Sequence, residues 1–259
     1  MKKTFMKMIL AGMMVLAGVS AFAKKTEIDK IKKAGGLKVG CKEDVPGYGY
    51  LNPATNEHEG LEIEISKAVS KKIFGKESVK FTGVTAKTRG PLVDTGEIDM
   101  VAATFTVTDA RRKLWDFSTI YMEDPIAIMA KKASGISSFK DLNGKTVGVS
   151  LASTTKKTLT EEAKKVGITL KFNEYATYPE IKAAIDSGRV DAFSVDSSIL
   201  AGYMEDSVIL LPERFSPQSY GIAVKKGNSE LLKIINDTID EMEKSGEMGK
   251  IKAKYNLDK

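Results

Sequence analysis

The sequence predicts an α/β protein of two similar lobes, and three observations carry that prediction. Strand-length apolar runs alternate with segments of helical periodicity, the pattern of parallel sheets flanked by helices. Thr95-Gly96-Glu97-Ile98-Asp99 before one apolar strand is echoed by Ser187-Gly188-Arg189-Val190-Asp191 before another. Polar residues follow Gly40, Ala103, Ser150 and Val195, four predicted strand ends of the kind where open α/β sheets gather ligands.

In chain order, Lys24–Ala34 reads as a short amphipathic helix stopped by Gly35-Gly36, and Leu37–Cys41 as a strand. Lys42–Tyr50, with its glycines and proline, reads as a turn-rich lip, and Asn52–Gly60 as a hairpin connection. Leu61, Ile65, Val69 and Ile73 recur every fourth position and predict a helix over Leu61–Phe74. Val79–Phe81 is a strand, and Pro91 suits the first turn of a helix ending near Thr95. A central strand at Val101–Ala103 then opens into Thr104, Thr106, Thr108 and Asp109, with Asp109 expected to cap a short helix carrying Arg111. Beyond Ile126–Ala130 the pattern repeats. Strands are expected at Thr146–Ser150, Thr169–Phe172, Val190–Val195, Val208–Leu211 and Tyr220–Val224. Helices are expected at Ser137–Asn143, after Ser153-Thr154, from Pro179 to Ser187, from Asp196 to Met204, after Asn228, and from Met248 to Tyr255.

Composition narrows the function. At 259 residues, with 42% hydrophobic and 29% charged residues, the chain suits one large or two medium globular domains. Lysines and acids alternate rather than cluster, so there is no nucleic-acid footprint. Lys2, Lys3 and Lys7 account for three of the +6 net charge, and they belong to a secretory leader. That leader has a charged start, an apolar run from Met8 to Val19 too short to span a bilayer, and Ala21-Phe22-Ala23 as its cleavage site. No cysteine stands where a lipoprotein needs one. The mature chain is expected to begin near Lys24, exported and soluble.

Cys41 and His58 are the only residues of their kinds, which excludes an internal disulfide and the usual zinc sets; no metal or cofactor is expected. Cys41 suits a small apolar position at a strand end, and His58 lies in a polar loop with no support for a Ser-His-Asp triad.

Arginine is scarce: Arg89, Arg111, Arg112, Arg189 and Arg214 are all there are among 40 basic residues. A chain that uses lysine for solubility keeps arginine where a planar, two-pronged donor matters. Arg111 suits a carboxylate as well as a surface pair with Asp116. The predicted strand ends bring Lys42, Thr104, Thr106, Arg111, Ser153, Thr154 and Asp196 together, with Arg89 beside them. Donors, hydroxyls, a helix start and one carboxylate are what a zwitterionic amino acid with an extra acid group needs. Asp196, Ser153 and Thr154 also suit plain helix caps, and Arg89 a surface helix start.

The chain resembles the periplasmic solute-binding proteins of polar amino acid ABC importers, the family 3 extracellular binding proteins, over nearly its whole mature length. The landmarks are Leu37–Gly40, Gly60–Ala68, Gly96–Asp99, Thr106-Val-Thr-Asp-Ala-Arg111 through Trp115–Ser118, Asp141–Gly148, Gly188–Ala192 and Tyr220–Val224. Within the family it is most similar to aspartate/glutamate receptors, through Ala86–Pro91, Ala103–Thr106, Ser153–Lys157 with Ser in place of Ala, and Pro217–Tyr220. The resemblance implies a type II binding protein, each lobe a mixed sheet flanked by helices. Residues 24–120 and 221–259 form lobe 1, 126–216 lobe 2, and 121–125 and 217–220 two hinges. It implies that Arg111 clamps an α-carboxylate with help from Thr154, and that Asp196 receives the ammonium. Lys42, Arg89, Thr104 and Tyr220 then surround a side-chain carboxylate. The expected partner is a membrane permease, the expected state a monomer, and no enzymatic activity is expected. A rival enzyme on this fold, such as a dehydratase, has Glu43 or Asp196 as its general acid. The family commonly carries Gly where this chain has Ala152.

Overall fold

The computed structural model describes residues 26–258; the expected leader and its cleavage site lie outside the described residues. The helices are α1 (Glu27–Ala34), α2 (Leu61–Phe74), α3 (Arg89–Thr95), α4 (Asp109–Arg112), α5 (Thr155–Val166), α6 (Tyr178–Asp186), α7 (Ser197–Ala201), α8 (Ser229–Lys244) and α9 (Glu247–Lys254). The strands are β1 (Leu37–Cys41), β2 (Asp44–Val45), β3 (Gly49–Asn52), β4 (Glu57–Glu59), β5 (Val79–Gly83), β6 (Met100–Ala102), β7 (Trp115–Phe117), β8 (Met122–Lys131), β9 (Thr146–Ser150), β10 (Lys171–Tyr175), β11 (Ala192–Asp196), β12 (Val208–Leu210), β13 (Phe215–Tyr220) and β14 (Ala223–Lys225). Phe139–Leu142 is a 3-10 turn.

Two main sheets organise the lobes. The first runs β5-β1-β6-β14-β7, parallel at β5-β1-β6 and antiparallel where β14 returns. The second runs β10-β9-β11-β8-β12, parallel at β10-β9-β11 and antiparallel at β8, with β13 also on β8. Both sheets are therefore mixed, although alternation alone predicts parallel ones. The returning strands cause this. β8 and β13 run side by side, with Asp124 opposite Gln218 and Met122 opposite Tyr220.

The echoed pentapeptides have one physical meaning. Asp99 Oδ2 accepts the Lys38 N–H at 2.8 Å, and Asp191 Oδ2 accepts the Thr146 N–H at 2.8 Å. In each lobe the acid ties its strand to the start of the neighbouring one. Gly40 and Gly148 sit in those neighbours, where an added Cβ would lie 2.5 Å from Ile98 Cδ1 and 2.6 Å from Ile181 Cγ2. Helix α2 buries Leu61, Ile65, Val69 and Ile73 as its period requires and stops at Gly75 in the left-handed region.

Several local expectations change. The lip at Lys42–Tyr50 contains β2 and the start of β3, which join β4 in a small antiparallel sheet. Thr108, not Asp109, caps α4: its side chain accepts the Arg111 N–H, and Asp109 is the first helical residue. Tyr220 closes β13 rather than opening the next strand. α7 ends at Ala201, short of Met204. β10 and β11 each begin two residues later than their apolar runs. Cys41 is buried, its thiol pushed up by burial, as a packing residue would be. His58 Nε2 lies 3.0 Å from Glu43 Oε1 and its ring is 5.0 Å from that of Phe81.

Candidate functional site

The end of β6 makes the first wall. Thr104 follows it with φ +45, so the chain turns out of the extended strand there. The Thr104 N–H donates to Glu62 Oε1 at 2.6 Å. On the other side, Arg89 Nη1 donates to the carbonyls of Ala103 and Thr104, the latter at 3.0 Å. Arg89 is 3% exposed, a core residue and not a surface helix start. Its Nε is buried without a hydrogen-bond partner among the described residues. Thr106 forms an isolated bridge with Tyr220, which fixes the wall to the crossing strand β13.

Arg111 reaches across. Its Nη1 donates to the Thr106 carbonyl at 2.7 Å, and its Nη2 to the Ala152 carbonyl at 3.2 Å in the other lobe. Asp116 is taken by Lys226 at 2.5 Å, so the surface pair with Arg111 does not form. Arg89 and Arg111 both stack on Phe105, at 4.0 and 4.9 Å from its ring centre. Burial, and then the charge of Arg89, pull the Arg111 guanidinium down to about 9. Two desolvated cations at one ring are costly unless an anion joins them.

The second wall is the end of β9. Ala152 has φ +64, and Ser153 and Thr154 follow at the start of α5. Neither caps the helix with its side chain. Thr154 Oγ1 donates to Gln218 Oε1 at 2.6 Å, and Ser153 Oγ is buried with no partner among the described residues. Asp196 stands in the cap position of α7 but makes no side-chain cap bond. Its Oδ2 accepts the Tyr220 hydroxyl instead. Burial raises the Asp196 carboxyl to about 7 against the opposing hydrogen bond of Tyr220. All three residues that suit plain caps thus turn their side chains elsewhere.

Between the walls lies a small residual cavity of about 10 Å³, lined by Arg89, Thr104, Thr106, Ser153, Thr154, Tyr178 and Asp196 among others. Of the residues expected at the site, Lys42, Arg111 and Tyr220 are not among its lining residues. Lys42 is 2% exposed, paired with Asp44 at 2.9 Å and set behind the ring of Tyr178, at 4.5 Å from its centre. Glu43 is exposed at its hairpin and takes no part.

Sequence reasoning misses the groups behind the walls. Glu62 accepts both the Thr104 N–H and the hydroxyl of Tyr121, which precedes β8, and burial raises its carboxyl to about 6. Asp124 on β8 accepts the Ser198 hydroxyl and, more distantly, that of Tyr220 at 3.5 Å. The i, i+4 apolar period of α2 gives no sign that Glu62 is buried. Asp124 sits beside an apolar run that reads as plain strand.

Three comparisons bear on this arrangement. A family model described as bacterial extracellular solute-binding proteins, family 3, matches residues 37–258. The chain is 36% identical to the ABC transporter glutamine-binding protein GlnH of Bacillus subtilis, over 90% of this chain and 85% of that one. It is 31% identical to the L-glutamate/L-aspartate-binding protein of Pseudomonas aeruginosa, over 88% and 79%. Among solved structures it matches an ancestral arginine-binding protein bound to arginine, with TM-score 0.77, 37% identity and coverage of 85% and 98%.

Proposed function

The chain belongs to the bacterial extracellular solute-binding proteins, family 3, and from that premise we propose that it carries an acidic amino acid, aspartate or glutamate, to an ABC importer. The ligand lies between the lobes. Arg111 takes the α-carboxylate with Thr106 and Thr154, and Asp196 takes the ammonium. Arg89, Thr104, Ser153 and Tyr220 serve the far end, with Lys42 adding its field from behind. The stretches 121–125 and 217–220 act as hinges between residues 24–120 with 221–259 and residues 126–216. The closed form, exported and monomeric, docks on a membrane permease. A ligand touching both lobes favours closure by its differential affinity for the closed state.

The observation that carries the acidic reading is the charge of the cavity. Arg89 lines the cavity and Arg111 stacks on the same Phe105 ring beside it, against one cavity-lining carboxylate, Asp196, and the buried Arg89 Nε has no partner among the described residues. An amino acid with a second carboxylate offsets that excess. A second reading, a neutral amide such as glutamine, is favoured by the Arg89 Nη1 bonds to two carbonyls and by the Lys42–Asp44 pair, which leave fewer free cations.

Calorimetric titration of ligand-stripped protein with aspartate, glutamate, glutamine, asparagine, arginine, histidine and cystine separates the two. Tight binding of aspartate or glutamate is expected, with Arg89→Ala losing their advantage over glutamine. Equal losses for glutamate and glutamine in Arg89→Ala would remove the specificity role of Arg89. A panel led by glutamine would replace the acidic reading with the amide one.

A further inference from the structure

The β2–β3 hairpin lies outside the cavity, yet it makes a cluster of contacts with lobe 2. Asp44 opens it. Asp44 Oδ1 pairs with Lys42 Nζ at 2.9 Å, and Asp44 Oδ2 accepts the Tyr178 N–H at 3.2 Å. Tyr178 is the first residue of α6, so that N–H has no partner within its own helix, and the positive end of the helix faces the carboxylate. Lys42 Nζ lies 4.5 Å from the centre of the Tyr178 ring, whose residue also lines the cavity. The Asp44 carbonyl accepts the Tyr203 hydroxyl, and the Tyr48 hydroxyl lies 2.9 Å from Ser198 Oγ. Lys42, Asp44 and Tyr48 come from one lobe; Tyr178, Ser198 and Tyr203 come from the other. These cross-lobe contacts need the lobes together.

We propose that Asp44 is a specificity-determining residue of the closed state: it clasps lobe 2 through Tyr178 and, by neutralising Lys42, sets how much positive charge the far end of the pocket presents to the ligand. This rests on the reading that an amino acid binds between the lobes. The clasp adds to closure for every ligand alike. The neutralisation does not, because a charge in a desolvated site acts over several ångströms on a carboxylate and hardly on an amide. An acidic ligand therefore meets a pocket whose cationic excess Asp44 has already trimmed, which tempers discrimination against glutamine.

Asp44→Asn tests the charge while keeping the volume and an oxygen for the Tyr178 N–H. Calorimetry on the full mature chain at pH 7 is expected to show the glutamate-to-glutamine affinity ratio rising about tenfold. Lys42→Met removes the other half of the pair, and the ratio is expected to fall by a similar factor. Asp44→Ala also removes the acceptor; both ligands are expected to weaken together, with a larger radius of gyration in ligand-free solution scattering than Asp44→Asn gives. An unchanged ratio in Asp44→Asn and in Lys42→Met overturns the charge role. Equal radii for Asp44→Ala and Asp44→Asn overturn the clasp. A wild-type protein that binds neither ligand instead overturns the functional reading, and the scattering comparison still tests the clasp.

Discussion

Two left-handed turns by non-glycine residues flank the candidate site, one per lobe. Thr104 follows β6 with φ +45, and Ala152 follows β9 with φ +64. Each costs about 1–2 kcal/mol against an ordinary backbone, so each persists only where its surroundings over-determine it. The surroundings differ. Thr104 is held from within its own lobe, by Glu62 on its N–H and Arg89 on its carbonyl. The Ala152 carbonyl is held from across the cleft by Arg111. The first wall is therefore held by contacts within one lobe, while the second is held by a contact across the cleft. That division suits a lobe that receives the ligand first and a lobe that closes over it.

The largest effect is expected where one residue serves both walls. Arg111→Ala removes the bidentate donor and releases Ala152. Calorimetry should show a loss of about 3 kcal/mol or more in binding, a hundredfold or greater. Thermal stability without ligand should change far less, because Arg111 spends its burial on the site. A ligand affinity within tenfold of wild type would mean that the cross-cleft bond contributes nothing to closure.

Much of this frame is legible in the sequence. The echo at Asp99 and Asp191 predicts two lobes because each acid performs the same backbone bond. The residues around the cavity are legible because strand ends are polar for a reason. What stays hidden is pairing across distance. Glu62 is 42 residues from Thr104, and Tyr220 is 24 from Asp196, separations at which no periodicity reports a bond. Asp44 is two residues from Lys42, yet the sequence suggests a lip there, and the ion pair appears only once β2 and β3 fold back. Ala152 is the instructive departure. The position calls for glycine by its φ, and the alanine is legible as unusual but not as strained.

A middle-sized effect tests how the first wall is held. Both Glu62 bonds go to Oε1, and Oε2 has no partner among the described residues. Glu62→Gln keeps that oxygen and discards the charge; Glu62→Ala discards both. The sign follows from the raised carboxyl. Its pKa is about 6 when folded against 4.5 in the open chain, so the native state binds more protons between those values and stability falls as pH rises through them. Glu62→Gln is expected to be more stable than wild type by up to about 2 kcal/mol at pH 8, with no gain at pH 4. Glu62→Ala should lose about 3 kcal/mol by orphaning the Thr104 N–H and the Tyr121 hydroxyl. Denaturant titrations at the two pH values separate a wall held by charge from one held by geometry.

The smallest effect isolates the two turns themselves. Glycine adopts positive φ without the Cβ penalty but frees the unfolded chain, so each replacement nets a stabilisation of about 1 kcal/mol at most. Ala152→Gly meets only that balance, since a methyl is all it removes. Thr104→Gly also deletes a hydroxyl from the cavity lining. In ligand-free denaturation both should lie within about 1 kcal/mol of wild type, with Ala152→Gly on the stabilising side. Binding should diverge. A turn held by Arg111 only in the closed form gains freedom in the open form when it becomes glycine, so Ala152→Gly is expected to weaken ligand binding a fewfold while stabilising the fold. If instead Ala152→Gly tightens binding, the strain at Ala152 opposes closure, and the second wall is as rigid before the ligand arrives as the first.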